Sequence, residues 1–362
     1  MRPHVDQRRA RVRALVQARG SVRVADLARE LGVSPVTLRR DIEAMAARGE
    51  IQRMHGVVSR PQAGPAGPDR AGGGGRGRDG GGLVIGMVVP TTEYYYGDVV
   101  RGAREAIEAR GARLTVGLTR YLPGEDRTQA DRLLSTGAHG LLLTPNWDAG
   151  SPGPGEGAWT AELPVPTVLV ERWAPPGHPA ASLDRVASDH AHGAARAVQH
   201  LAGLGHRRIA LASRRTPTSE RLRAGFEAAV AVLGLEPAPP WPGPEALSEA
   251  EAFARTLDYL CAAVAEGGVS AALIHSDTDA IMLIPRLQAR GVRVPEDLAV
   301  ITYDDEVAGL ADVPLSAVAP AKREVGARAA GLLLDRVEGG AAVAEGLARQ
   351  HLELLPRLTI RP

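Results

Sequence analysis

The chain of 362 residues holds a single cysteine, Cys261, and a single lysine, Lys322. One thiol excludes an intrachain disulfide framework and a cysteine-based metal site. Aromatic residues make up only 3% of the chain, with two phenylalanines, four tryptophans and six tyrosines, so any cluster of rings stands out. No apolar run approaches the ~20 residues of a membrane span, and the N-terminus lacks the apolar segment of a signal peptide. A cytoplasmic location without a membrane partner is therefore expected. No Cys/His spacing resembles a metal site, and no nucleophile elbow or triad pattern surrounds the hydroxyls of "RRTPTSE" at 214–220. His190 and His192 lie two apart at a helix start and do not share a face. No metal, cofactor or catalytic residue is expected.

What is present divides the chain. Overall charge is +1, yet residues 1–60 carry 13 arginines and 6 acidic residues, a net of +7, whereas residues 83–362 carry 27 basic and 34 acidic residues, a net of −7. A basic head on an acidic body suits a head that meets a polyanion. Between them, "RPQAGPAGPDRAGGGGRGRDGGG" (60–82) is nearly all Gly, Pro, Ala and Arg and reads as a flexible tether. Its glycines do not open a helix after a strand, so they carry no phosphate-loop signal.

The head reads as three short helices and a hairpin. "RRARVRALVQARG" (8–20) places Val12, Leu15 and Val16 inward, and "VRVADLARELGV" (22–33) places Val24, Leu27, Ala28 and Leu31 on one face. Gly32 suits the turn before "VSPVTLRRDIEAM" (33–45). There Ser34 is an N-cap, Pro35 fits the first helical position, and Leu38, Ile42 and Met45 recur on a buried face while Thr37, Arg39 and Arg40 point outward. Two β-prone runs around His55–Gly56 follow and read as a wing. Ser34, Thr37, Leu38, Arg39, Arg40, Asp41 and then Arg53, His55, Gly56 closely resemble the signature of DeoR-type bacterial regulators, with Val57 where that family usually has a second glycine. The resemblance implies a winged helix-turn-helix over 1–59 that binds double-stranded operator DNA through Ser34, Pro35, Thr37, Arg39, Arg40, Arg53 and His55.

From residue 83 short continuous apolar runs alternate with helical stretches: "LVIGMVV", "RLTVGLT", "GLLLTP", "TVLVE", "RRIALAS", "AALIHS" and "LAVITYD". Buried parallel strands read this way, and the alternation predicts an α/β fold. Ligands of such sheets sit beyond the carboxyl ends of the strands. That directs attention to Thr91–Tyr96, Asn146–Trp147, Glu171–Arg172, Ser213–Arg215, Asp277 and Asp304–Asp305. Half of the tyrosines fall in one cluster, "TTEYYYGD" at 91–98.

Leu204-Gly205-His206-Arg207, the run from Val294-Pro295 through Asp297 to Asp304-Asp305, and the closing "LELLPRLTIRP" occur in the order found in the LacI family of sugar-sensing repressors. Residues 83–361 resemble that family's effector domain. The resemblance implies two α/β lobes of the type I periplasmic-binding-protein kind, the first about 83–187 plus 313–340, the second about 188–312 plus 341–362. It also implies a homodimer and a small sugar-like effector in the cleft. Tyr95 and Tyr96 match the family's aromatic pair, with Tyr96 either stacking on a sugar or packing in the core. Asp304 matches a ligand-binding Asp, although Thr302 replaces the usual glycine nearby. Asp277 matches a cleft Asp and equally suits a helix cap. Arg221, beside the family's arginine position at Leu222, is an expected effector contact. Asn146, Arg172 and Asp189 are further cleft positions, the last two equally suited to ion pairing.

The expectation is a ligand-controlled transcription regulator, a repressor. The rivals are a sugar-phosphate enzyme, since many DeoR-type regulators carry an isomerase-like body, and a transporter's solute-binding protein.

Overall fold

Parallel strands bury both faces, so each needs helices on either side and a partner strand on either edge. The computed structural model describes residues 82–361 except 149, 154, 242–247 and 340–347, and within the first 59 residues it describes 11–16, 21–23, 52–54, 57–59, Leu27, Glu30, Ile42 and Met45. Two compact units result, Met1–Arg78 and Asp79–Pro362.

In the head, β1 (Ser21–Arg23), β2 (Gln52–Met54) and β3 (Val57–Ser59) form an antiparallel sheet in the order β1-β3-β2. β2 and β3 are the two expected runs of the wing. β1 differs from expectation, because residues 22 and 23 read as the start of a helix. Val22 pairs with Val58 instead, and a β-branched residue suits that ladder. Val12, Val16, Leu27, Ile42 and Met45 are all buried helical positions, five of the expected inward residues. Ser34, Pro35, Thr37, Arg39, Arg40 and His55 lie outside the described residues, and Arg53 is described as a backbone position in β2.

The second unit has two sheets. The first is wholly parallel, in the order β13-β8-β7-β6-β4-β5. Its strands are β4 (Val84–Val89), β5 (Arg113–Leu118), β6 (Gly140–Leu143), β7 (Thr167–Val170), β8 (Asp184–Ser188) and β13 (His351–Leu354). Helices α1 (Tyr95–Ala109), α2 (Glu125–Ser135) and α7 (Lys322–Glu338) cover it. The second sheet runs β14-β12-β11-β10-β9 and is parallel except at β14. It comprises β9 (Ile209–Ser213), β10 (Ala271–His275), β11 (Ala299–Tyr303), β12 (Ser316–Ala319) and β14 (Arg357–Thr359), with helices α3 (His190–Gly203), α4 (Ser219–Val232), α5 (Glu249–Ala265) and α6 (Asp277–Ala289). Among the described residues no helix is long and apolar enough to cross a membrane.

The chain passes between lobes three times, between β8 and α3, between β12 and α7, and between β13 and β14. This corrects two expected boundaries. Residues 313–340 do not lie wholly in the first lobe, because β12 extends the second sheet beside β11. Residues 341–362 do not lie wholly in the second, because β13 pairs with β8, His351 opposite Arg185. A four-residue strand follows whichever ladder offers it partners, and sequence pattern does not name that ladder.

Two glycines set the packing of the first lobe. A Cβ on Gly102 of α1 would stand 1.8 Å from the Arg323 carbonyl, and one on Gly326 of α7 would stand 1.9 Å from the Val99 carbonyl. The two helix backbones therefore touch, which only glycine allows. Elsewhere α7 carries a fully buried charge. Arg336 donates from Nε and Nη2 to the two carboxylate oxygens of Asp184 at 2.8 and 2.9 Å, and Asp184 also accepts from the Gln350 amide at 2.7 Å. Removing one partner of such a pair strands the other charge. Asp184→Ala should lower unfolding stability by about 3–5 kcal/mol in denaturant titration, whereas a loss under 1 kcal/mol would mean that water rescues Arg336.

Candidate functional site

The carboxyl ends of β4, β7, β10 and β11 open into one cavity of about 210 Å³ between the lobes. The first lobe contributes Tyr94, Tyr95, Tyr96 and Tyr121, together with Glu171 and Arg172 that follow β7. The second contributes Arg214, Thr216, Pro217, Thr218, His275, Ser276 and Asp304, and His190 lines it from the first crossing.

The backbone is unusual at this place. Five described non-glycine residues have positive φ, and Tyr94 (50°), Tyr121 (57°), Glu171 (53°) and Asp304 (70°) line the cavity. Left-handed backbone costs free energy for a residue with a Cβ, and such strain concentrates at functional sites. Glu171 and Asp304 come directly after β7 and β11, Tyr121 lies three residues after β5, and Tyr94 immediately precedes α1.

Tyr94 reaches across the cleft. Its hydroxyl donates to Asp277 and, at 3.4 Å, lies against the Asp304 carboxylate. Asp277 is fully buried and also accepts the amides of Glu306, Val307 and Ala308 at 2.8, 2.7 and 3.1 Å. Beside it, burial pushes the Asp304 carboxyl up to about 6; Lys322 opposes that shift and Asp277 adds to it. His275, which contacts Asp304 at 3.9 Å, is held down at about 3, by burial first and then by its electrostatic interaction with His190 and Arg214, so it is neutral at pH 7.

On the first-lobe side Glu171 is 3% exposed. Its carboxylate accepts from the Tyr95 hydroxyl at 2.7 Å, the Ser188 hydroxyl at 2.9 Å and the Ser188 amide at 3.0 Å, and His190 Nε2 lies 3.4 Å away. Burial pushes this carboxyl up, but His190, Tyr95 and Ser188 outweigh it and hold it below the ordinary glutamate value. The other His190 nitrogen, Nδ1, is 2.9 Å from the Tyr303 hydroxyl, so a polar chain runs from one lobe to the other. The sole lysine stands at the second crossing, where Lys322 pairs with Glu306 and lies 5.1 Å from the Tyr95 ring centre.

Of the expected effector contacts, Tyr95, Tyr96, Arg172 and Asp304 line the cavity. Asp277 stands behind its wall as the acceptor that fixes the 306–308 loop. Three lie elsewhere. Asp189 caps α3 through the His192 amide at 2.9 Å. The Asn146 amide donates to Asp126 at 3.3 Å. Arg221 stacks 4.3 Å from the Trp173 ring centre and pairs with Glu353 at 3.6 Å, which makes it an interlobe contact at the hinge. Sequence reasoning did not select Tyr121, His190, Thr216, Thr218, His275 or Ser276. The signal available for His275 and Ser276 was position, since they close the apolar run "AALIHS". Among the described residues no group of three or more His, Cys, Asp or Glu side chains is placed to hold a metal ion.

Two α/β lobes with a polar cavity at their strand ends and three interlobe crossings define a ligand-binding regulatory body. Residues 198–361 match the periplasmic binding protein-like domain family, and residues 8–63 match the DeoR-like helix-turn-helix domain family. The chain is 27% identical over 270 residues to the arabinose metabolism transcriptional repressor of Geobacillus stearothermophilus, covering 70% of each chain. It is 27% identical over 288 residues to the HTH-type transcriptional repressor PurR of Vibrio cholerae, covering 77% of this chain and 81% of that one. A LacI family transcriptional regulator from Mycobacterium smegmatis has the same fold, with a TM-score of 0.61 and 25% identity over 76% of this chain and 97% of that one. Residues 198–361 thus resemble a periplasmic-binding-protein-like regulatory domain and residues 8–63 a DeoR-like helix-turn-helix, and the fold is shared with a LacI family regulator. The relatives it matches are transcriptional repressors, not enzymes.

The sign of a pH effect follows from Asp304. In the unfolded chain its carboxyl keeps the ordinary value of 3.8, and in the folded chain it titrates at about 6. Between those values the folded state holds a proton that the unfolded state has released, so this group lowers stability as pH rises through the window and keeps it lowered above. Asp304→Asn removes the effect. The stability of the variant relative to wild type should rise by about 1 kcal/mol between about pH 5 and about pH 7.5 in parallel denaturant titrations. A pH-independent difference would mean that Asp304 titrates as an ordinary aspartate.

Proposed function

We propose that the protein is a homodimeric transcriptional repressor whose grip on operator DNA is set by a small sugar-like effector held between the lobes. The observation that carries this reading is the Tyr94 contact. A first-lobe phenol occupies second-lobe carboxylates across an otherwise polar cavity, so lobe closure depends on what sits on Asp277 and Asp304. Carboxylates there can accept from effector hydroxyls, and Tyr95 and Tyr96 supply ring surface on the opposite wall. The printed role of the Geobacillus relative, arabinose metabolism, supports a sugar as the effector class.

In this proposal the head binds DNA through the segment that follows Gly32: Arg39 and Arg40 meet base edges or phosphates in the major groove, and Ser34, Pro35, Thr37, Arg53 and His55 are further DNA contacts. Dimerisation doubles this small footprint. The second lobe supports it with a surface groove bearing Leu204, Leu310, Val313 and Ile360, which are 65%, 81%, 55% and 52% exposed. Apolar residues grouped in this way mark an association surface.

Fluorescence anisotropy with duplexes selected on the full chain should show two chains bound per duplex and an affinity that falls steeply with salt. Arg39→Ala/Arg40→Ala should lose at least tenfold in affinity. Equal binding by the variant, or one chain per duplex, would overturn the reading of the head or of the dimer respectively. For the cleft, thermal-shift screening should find a polyol ligand. Asp304→Ala should weaken it roughly ten- to hundredfold in calorimetry, the loss expected for a charge-assisted bond, with no product formed. Unchanged affinity would move the site elsewhere.

A further inference from the structure

Two arginines of the second unit are almost fully buried, Arg336 at 2% and Arg172 at 1% exposure, and they are treated differently. Arg336 faces the Asp184 carboxylate with two parallel bonds. Arg172 faces no carboxylate among the described residues. Its Nε donates to the Pro145 carbonyl at 2.6 Å, and its Nη1 donates to the Glu171 carbonyl at 2.8 Å and the Tyr96 hydroxyl at 3.1 Å. Its Nη2 is buried and has no hydrogen-bond partner among the described residues. The nearest acid in sequence, Glu171, spends its carboxylate on Tyr95, Ser188 and the imidazole of His190.

A guanidinium does not shed its proton in a protein, so Arg172 keeps a full positive charge in the cavity wall. Neutral carbonyls and a phenol satisfy its donors in part and neutralise none of the charge. An unmatched buried donor and an unmatched charge on one group, at the edge of a cavity, are what an incoming anion would complete. A second guanidinium in the wall, Arg214, is half exposed and already carries Asp279 at 2.8 Å, so it adds positive potential without competing for the same contact. Asp304 stands in the wall of the other lobe, where it accepts hydroxyls rather than opposing an acid placed on Arg172.

We infer that the effector is an acid, a polyhydroxylated molecule with an anionic oxygen that docks on Arg172 Nη2 while its hydroxyls face Asp304. This rests on the cleft being the effector site. The anionic oxygen belongs to a carboxylate or to a phosphate. One free nitrogen and a cavity of about 210 Å³ suit the smaller carboxylate.

The test is calorimetry and thermal shift on the full chain with matched sets: D-glucose, D-gluconate, D-gluconamide, D-glucuronate and D-glucose 6-phosphate, and the corresponding galactose and arabinose series. The inference expects at least one acid to bind ten times more tightly than its neutral parent and than its amide. A carboxylate in that role with no response to the phosphate identifies a sugar acid, and the reverse identifies a sugar phosphate. Arg172→Gln should cut the preference for the acid over its neutral parent at least tenfold, and Arg172→Lys should recover part of that preference. The comparison of acid with amide is made on wild type, so it stands even where the glutamine variant does not fold. Neutral sugars binding as tightly as their acids would overturn the inference and leave the cleft reading intact. No acid binding in any series would overturn it as well.

Discussion

Asp277 is the residue on which the two lobes agree. It is fully buried at the first turn of α6, and a carboxylate in that position needs several donors to offset the water it has lost. Three come from the backbone of 306–308, which fixes the loop that follows Asp304. One comes from Tyr94 of the other lobe. The first three are permanent parts of one lobe. The fourth is lost when the lobes part, and an effector hydroxyl is chemically equivalent to it. In the proposed function, opening and closing the cleft is an exchange of donors on a pair of buried acids, Asp277 and Asp304, and any ligand that favours one state shifts the balance by its differential affinity for the two.

The backbone is bent around the same cavity. Tyr94, Tyr121, Glu171 and Asp304 each adopt positive φ, in the turns between strands and the elements that follow them. Such conformations persist only where the surroundings hold them. Here the holders are visible. Glu171 is locked by Ser188, Tyr95 and His190, and Arg172 behind it is anchored on the Pro145 carbonyl. The polar chain from Glu171 through His190 to Tyr303 joins the lobes close to the first crossing. Arg221, over Trp173 and beside Glu353, performs a similar service on another side of the hinge.

The central strands were legible because burial on both faces leaves a continuous apolar run, and all seven runs read from the sequence correspond to strands. β8 was not legible. Its sequence, Asp-Arg-Val-Ala-Ser, opens with charges that become acceptable only through Arg336, 152 residues further on, and Glu353. The lobe assignments of β12 and β13 failed for the same reason, since short strands take their place from distant partners. Of the positions expected to face the cleft, Tyr95, Tyr96, Arg172 and Asp304 line the cavity. Strand-end position could not find His190, whose role depends on Glu171 and Tyr303, or relocate Arg221, whose neighbours Trp173 and Glu353 are far away in sequence. Tyr94 was visible within the tyrosine cluster, but that it spans the cleft follows from tertiary structure alone.

A repressor of this design must let effector and operator sense each other, and linkage makes that reciprocal. The most direct measurement is a calorimetric titration of the full chain with its best effector, first free and then saturated with operator duplex. The account predicts that bound DNA changes effector affinity by the same factor as bound effector changes DNA affinity, and that the factor is at least fivefold. Identical effector affinity with and without DNA would contradict it, because a cleft that closes without altering the head regulates nothing.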